Sequence, residues 1–199
     1  MLAALVSIPV SAQRILDQFK AAVSSSSVNL EYSYNAVSGT MVSGSGTLRL
    51  QGDSFHMKGD GLEIWCDGKT RWTLDRAAGE MVVENVEDAD GGAAAADPAM
   101  LLGSLDTHFK AVSSSVKGGL TEIKFEPQSG ALGITSLTAV LKPVSGGAPV
   151  IASASAVMSD GTLTEFSFKS MSYSDRIPVG NFRFDMSEAG KSWIITDLR

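Results

Sequence analysis

Along residues 28–36 the side chains alternate without a break, Val28, Leu30, Tyr32, Tyr34 and Ala36 against Asn29, Glu31, Ser33 and Asn35. That period of two predicts a half-buried strand. Before it, Ile15, Leu16, Phe19, Ala22 and Val23 recur at helical spacing opposite Arg14, Asp17, Gln18 and Lys20, which predicts an amphipathic helix over residues 13–23, ended by the serines at 24–27. After it, short apolar runs separated by Gly and Asp predict strands at 47–51, where Leu48 and Leu50 share a face, at 55–58, where Phe55 and Met57 do, and at 80–86. The second half repeats the rhythm at 109–112, 121–125, 134–142, 150–158 and 162–173, with Phe166 and Phe168 on one face, then in a strand carrying Phe182, Phe184 and Met186, and at 193–195. One further helix is predicted where Asp97 can cap and Pro98 can open a turn carrying Met100, Leu101, Leu102 and Leu105. About ten or eleven strands and two helices make a mainly β chain, a curved antiparallel sheet or half-closed barrel with the helices plugging its concave side.

The pattern is densest over residues 44–86, centred on Asp67-Gly68, a pair suited to a two-residue type I′ hairpin turn. That turn would set Cys66 opposite Lys69, Trp65 opposite Thr70 and Glu63 opposite Trp72. Trp65, Thr70, Trp72 and Leu74 then share one face, and Ile64, Cys66, Arg71 and Thr73 the other. Asp160-Gly161 is a second hairpin turn of the same kind.

Composition narrows the reading. With 199 residues and 44% apolar content the chain suits one domain. A net charge of −6, with no basic run, argues against a nucleic-acid partner. The single Cys66 permits no internal disulfide and reads as a small apolar core thiol. The first twelve residues are apolar and end in Val10, Ser11 and Ala12, like the tail of a secretory signal cleaved before Gln13. Residues 1–12 are therefore expected to be a signal remnant, and 13–199 a single exported, soluble domain; a disulfide-free exported protein points to a periplasm. That apolar run is too short to span a bilayer.

Catalytic and metal chemistry find little support. His56 and His108 lack partners at ligand spacing, and His56, between Phe55 and Met57, is expected on the solvated side of its strand. Residues 87–96 read as an acidic, Gly- and Ala-rich loop; Asp88, Asp90 and Asp97 lack the spacing of a calcium loop. No nucleophile elbow, phosphate loop or Cys-His pairing stands out, so no enzyme, cofactor or metal is expected.

The segment GTLRLQGDSFHMKGDGLEIWCDGKTRWTLDR, in which Asp67-Gly68-Lys69-Thr70 is followed by Trp72, resembles the central SDGKxxW segment of the periplasmic lipoprotein carrier LolA and its relatives. Asp97-Pro98-Ala99-Met100-Leu101-Leu102 resembles the short helix of that family, Ser159-Asp160-Gly161-Thr162 its late hairpin, and residues 182–190 its terminal strand. The likeness covers nearly all of 13–199 as order and pattern more than as identity. It implies an unclosed β-barrel with a helical lid over an apolar cavity, which shelters the acyl chains of a lipoprotein on its way from the inner to the outer membrane. The physics agrees, since each exposed methylene costs about 0.8 kcal/mol, and Met57, Met81 and Met100 offer an adaptable lining.

Trp65 and Trp72 read as cavity or as ordinary core on the residues alone; the resemblance favours cavity. It implies a lining of Trp65, Trp72, Leu74, Leu48, Leu50, Phe55, Met57, Phe166 and Phe168, and a lid of Ile15, Leu16, Phe19, Met100, Leu101 and Leu102. Implied partners are acylated lipoproteins or lipids, an inner-membrane lipoprotein-releasing transporter and an outer-membrane acceptor, served by a monomer. The family carries an Arg-Pro pair whose arginine holds the lid closed; this chain has Gly52-Asp53 there, with Arg49 on the preceding strand. Two rival classes are a sensor or scaffold domain of the same architecture and a hydrolase on a β scaffold.

Overall fold

A computed structural model describes residues 8–86, 97–128 and 133–199. The acidic segment 87–96 with Asp88 and Asp90, and residues 1–7 of the expected signal remnant, lie outside the described residues. Helix α1 spans Val10–Ser25 and buries Ala12, Leu16 and Phe19. It starts three residues before the amphipathic pattern, because the Pro9 carbonyl already accepts from the Ala12 and Gln13 amides. At its far end the Ser25 hydroxyl folds back onto the Ala21 carbonyl, which is how serines stop a helix.

Among the described residues twelve strands form one sheet: β1 Ser27–Ser38, β2 Thr40–Gln51, β3 Ser54–Gly59, β4 Leu62–Asp67, β5 Thr70–Asp75, β6 Glu80–Asn85, β7 Phe109–Lys117, β8 Leu120–Pro127, β9 Ile134–Lys142, β10 Val150–Met158, β11 Leu163–Ser174 and β12 Ile194–Asp197. Their order, β12-β6-β5-β4-β3-β2-β1-β11-β10-β9-β8-β7, is two meanders joined where β1 pairs β11. With β12 and β7 at its two edges the sheet stays open, an unclosed half-barrel. The expected count of ten or eleven falls one or two short of this. Helix α2, Pro98–Ser104, follows the Asp97 cap and has proline in its first turn as the sequence predicts. Among the described residues no helix is long and apolar enough to cross a membrane.

Two expectations from pattern fail in the C-terminal stretch. Phe182, Phe184 and Met186 do not form a paired strand; the chain there makes short 3-10 turns at Val179–Phe182 and Met186–Glu188. Phe182 and Phe184 are nonetheless buried. Any extended segment laid across a surface buries alternate residues, so their spacing could not reveal whether the strap hydrogen-bonds to a neighbour. The following strand, β12, joins the sheet parallel to β6 rather than antiparallel, with Ile194 opposite Glu80.

The turns also differ. A type I′ turn needs positive φ at both central residues, and Asp60 is the one non-glycine with positive φ among the described residues. Among the Asp-Gly pairs of the described residues, the two-residue turn of that type is therefore Asp60-Gly61, φ 53° and 81°, with Gly59 paired to Leu62; Gly118-Gly119, φ 59° and 78°, makes another between β7 and β8. At the central hairpin Trp65 pairs with Trp72 and Cys66 with Arg71, two residues along from the expected register. Asp67 instead turns the chain with its side chain, accepting from the Lys69 and Thr70 amides at 3.0 and 2.9 Å and from Arg183 at 2.7 Å. A slip of two preserves the faces, so the two sets read from the sequence remain intact.

Strands β4–β6 are covered on both faces, the outer one buried and the inner one half-buried. Cross-strand rows such as Leu30, Leu48, Met57, Ile64 and Thr73 face the helices, and this inner face carries the main core, including Leu16 and Phe19 of α1 and Leu101 and Leu102 of α2. On the outer face Trp72, Leu74, Met81, Val83 and Phe184 form a separate cluster, with Trp65 and Trp193 against it. Phe184 and Trp193 stack with ring centroids 6.5 Å apart, so the C-terminal strap roofs the tryptophans. His56 also lies on this face but is half-buried rather than solvated, stacked 3.7 Å from Trp65 and 2.8 Å from the Glu63 carboxylate.

Glu63 is only 4% exposed and is the hub of that outer network. Burial would push its carboxyl up, but hydrogen bonds from Arg76, His56 and Lys58 outweigh burial and hold it down at about 2, from an ordinary 4.5. A carboxylate held down in the folded state adds stability above its unfolded value, and that stability is lost as pH falls through the folded one. Stability should therefore drop between pH 4.5 and 2. In urea unfolding, Glu63→Gln should be less stable than the parent at pH 7, and the gap should shrink by about 1 to 3 kcal/mol at the acid end; a constant gap would show that the network does not hold Glu63 ionised.

Candidate functional site

Glycines of β2 and β3 let Tyr32 and Asp60 lie close against the inner face of the sheet. Tyr32 lies across the Gly46–Gly59 pair: a Cβ at Gly46 would stand 2.8 Å from the Tyr32 hydroxyl oxygen, and one at Gly59 3.2 Å. A Cβ at Gly44 would collide with the Asp60 carboxylate, which the adjoining turn folds over it. The Asp60 carboxylate in turn accepts from the Tyr34 hydroxyl at 2.9 Å and from the Ser45 amide at 3.3 Å, tying the β1–β2 ribbon to the β3–β4 turn.

Beside them lies a hollow of about 270 Å³, just under the usual range for ligand pockets, with Met57, Leu62, Ile64 and Thr73 as its wall and Tyr32, Tyr34, Asp60, Arg71 and Asp97 as its polar part. Asp97 is 5% exposed. Burial pushes its carboxyl up, against hydrogen bonds from the Ala99 and Met100 amides, which are also what starts α2. Arg71 donates through Nε and Nη2 to Glu84 Oε1 at 2.9 and 2.8 Å. Burial likewise pushes the Tyr32 phenol well above its ordinary range, with Asp97 and Asp60 adding to it. Burial raises Tyr34 too, together with its bond to Asp60.

A smaller crevice of about 100 Å³ separates the helices, lined by Phe19 and Val23 of α1, Leu50, and Leu102 and Leu105 at the end of α2. The Lys20–Asp106 ion pair, 2.7 Å, bridges its rim. No arginine stands at Gly52-Asp53, but Arg176, from the strap after β11, lies beside Gly52 and donates to the Ser24 carbonyl at the end of α1, 2.9 Å away. A different element thus supplies the cation that ties helix to sheet.

The expected lining residues divide between two places. Leu48, Leu50, Phe55, Phe166 and Phe168 belong to the inner core, with Met57 packed against it and open to the hollow. Trp65, Trp72 and Leu74 do not: they are on the outer face under Phe184 and Trp193, with Met81. The sequence separates the two faces of the hairpin correctly, but the indoles favour the wrong one as inner, because the strap that buries them is far along the chain. Of the expected lid, Leu16, Phe19, Leu101 and Leu102 are buried in the inner core, Ile15 packs against it, and Met100 is half-buried.

Sequence reasoning missed the polar part of the hollow. A signal was available in Gly44 and Gly46, which interrupt a strand opposite two tyrosines. Among the described residues no group of three or more His, Cys, Asp or Glu is placed to hold a metal ion.

No family model and no curated protein matches the sequence. Among solved structures, the chain is similar to a LolA superfamily protein from Nitrosomonas europaea, at 8% identity and a TM-score of 0.51, over 88% of this chain and 99% of that one. It is similar also to a DUF1329 family protein from Desulfovibrio piger, at 8% identity and a TM-score of 0.50, over 92% of this chain and 100% of that one. Identity this low speaks to fold alone. The fold of this chain, an open sheet with α1 and α2 on its inner face, is similar overall to that of a LolA superfamily protein.

Proposed function

We propose that this protein is an exported carrier that holds the acyl chains of lipoproteins or lipids between the inner sheet face and its two helices, and passes them between membrane partners across the periplasm. The observation that carries this reading is the hollow under the start of α2, walled by Met57, Leu62, Ile64 and Thr73. Its present size calls for a lid that gives way. Helix α2 suits that part, because seven residues hold few backbone bonds of their own and packing supplies most of its stability. When α2 lifts, an acyl chain takes its place against Leu48, Leu50, Phe55, Met57, Phe166 and Phe168, with Ile15, Leu16 and Phe19 as the fixed side of the opening and Met100, Leu101 and Leu102 as the moving one. Each methylene so sheltered stabilises the complex by about 0.8 kcal/mol. The fold in common with a LolA superfamily protein supports the same reading.

Native mass spectrometry of the protein recovered from the periplasm of its own host should find an acylated lipoprotein bound. Free fatty acid or phospholipid in its place would move the role to general lipid transport or sensing. An empty protein that also refuses lipid would overturn the proposal. Ile64→Trp, which fills the hollow, should weaken lipid uptake at least tenfold with the fold kept. Trp72→Ala, on the outer face, should cost about 3 kcal/mol of stability and leave uptake per folded molecule unchanged; the reverse pattern would put the acyl chains on the outer face.

A further inference from the structure

The polar groups of the hollow carry information that its apolar wall does not. The Tyr34 hydroxyl donates its one hydrogen bond to Asp60, so it presents only lone pairs to a ligand. Asp60 and Asp97 also offer only lone pairs when ionised, and the two bonds that Asp97 accepts from α2 both fall on Oδ1. Tyr32 is the counterpart. It is 3% exposed, lines the hollow, and its hydroxyl donates no hydrogen bond among the described residues. That hydroxyl borders the hollow rather than being sealed in the core, so a ligand end that accepts from it satisfies it in place of solvent. Arg71 is the one cation lining the hollow among the described residues, and Glu84 already takes two of its donors.

These groups ask for a ligand end that accepts from Tyr32 and donates towards Asp60, Tyr34 and Asp97. A carboxylate or phosphate end could meet Tyr32, but it would bring a second negative charge beside Asp60, and Arg71, the one cation lining the hollow among the described residues, is already paired with Glu84. We propose that the hollow selects acyl lipids whose polar end is uncharged and both donates and accepts, an amide or a hydroxyl-bearing ester, and discriminates against acyl chains that end in an anion. This deepens the carrier reading and rests on it. Asp60 is the residue that sets the discrimination, and Tyr32 the one that rewards the neutral end.

Displacement of the uncharged dye N-phenyl-1-naphthylamine tests it, with N-palmitoylethanolamine, monopalmitoylglycerol and palmitate as competitors at neutral pH. The amide, the hydroxy ester or both should bind at least tenfold more tightly than palmitate; the amide alone would point to a lipoprotein-type anchor and the ester alone to a glycerolipid. Asp60→Asn keeps a side chain that tolerates positive φ and should cut the discrimination at least threefold by improving palmitate binding. Tyr32→Phe should weaken the neutral lipids at least threefold, and palmitate by less. Equal binding of palmitate and the neutral lipids, or discrimination that survives Asp60→Asn, would overturn this inference and leave the carrier reading standing. A protein that binds neither the dye nor any of the three lipids would overturn both.

Discussion

The pairing of β1 with β11 is the contact on which the rest of this molecule depends. It joins residues from opposite ends of the chain, Val28 with Tyr173 and Val37 with Leu163, and turns two independent meanders into one sheet. Loop closure over such a span is entropically costly, so the seam forms only if many groups are satisfied at once. Its register slips by one residue between Glu31 and Tyr32, a bulge that adds local twist. Beyond the bulge Tyr34 meets Phe166, with ring centroids 6.1 Å apart, and Phe166 stacks on Phe168 at the same distance. The helices then have a common inner face to cover: α1 contacts β8 in one meander and α2 contacts β2 in the other. The crevice and the Lys20–Asp106 pair between them exist only because the two halves share that face.

A second constraint follows from the strict alternation of side chains. A sheet covered by helices on one side leaves its other side to water, unless something else roofs it. Here the strap after β11 does so over β4–β6. Its polar anchors are the Gln51 side chain, which bonds to both the amide and the carbonyl of Ile177, and the Arg183–Asp67 pair. Its apolar anchors are Phe182, Phe184 and Trp193. The hairpin that carries both faces is thus fixed from outside, and the inner residues Ile64, Arg71 and Thr73 can border a hollow without loss of order.

What the sequence revealed and concealed follows the same lines. Strands at 28–36 and 134–142, the amphipathic α1 and the Asp97-Pro98 start of α2 were legible because each is set by neighbours in the chain. The half-barrel with inner helices was legible as well, from the number of short strands against two helices. The turn at Asp60-Gly61 was concealed because four Asp-Gly pairs occur in the chain and conformation, not composition, decides which takes positive φ at both residues. The choice of inner face at Trp65 and Trp72 was concealed because it depends on Phe184 and Trp193, more than a hundred residues on. The polar part of the hollow escaped for a related reason: Tyr32, Asp60, Arg71 and Asp97 come from four separate elements and look ordinary one at a time.

The claim at the centre of this account is that acyl chains lodge on the inner face, beneath α2. The direct measurement is photo-crosslinking with an N-acylated lipopeptide that carries a diazirine in its acyl chain, followed by mapping of the labelled residues. The account predicts labels on Met57, Ile64 and Met100 and their inner-face neighbours, and none on Trp65, Trp72 or Trp193. Labels gathered on the outer tryptophans, or spread evenly over the surface, would contradict it.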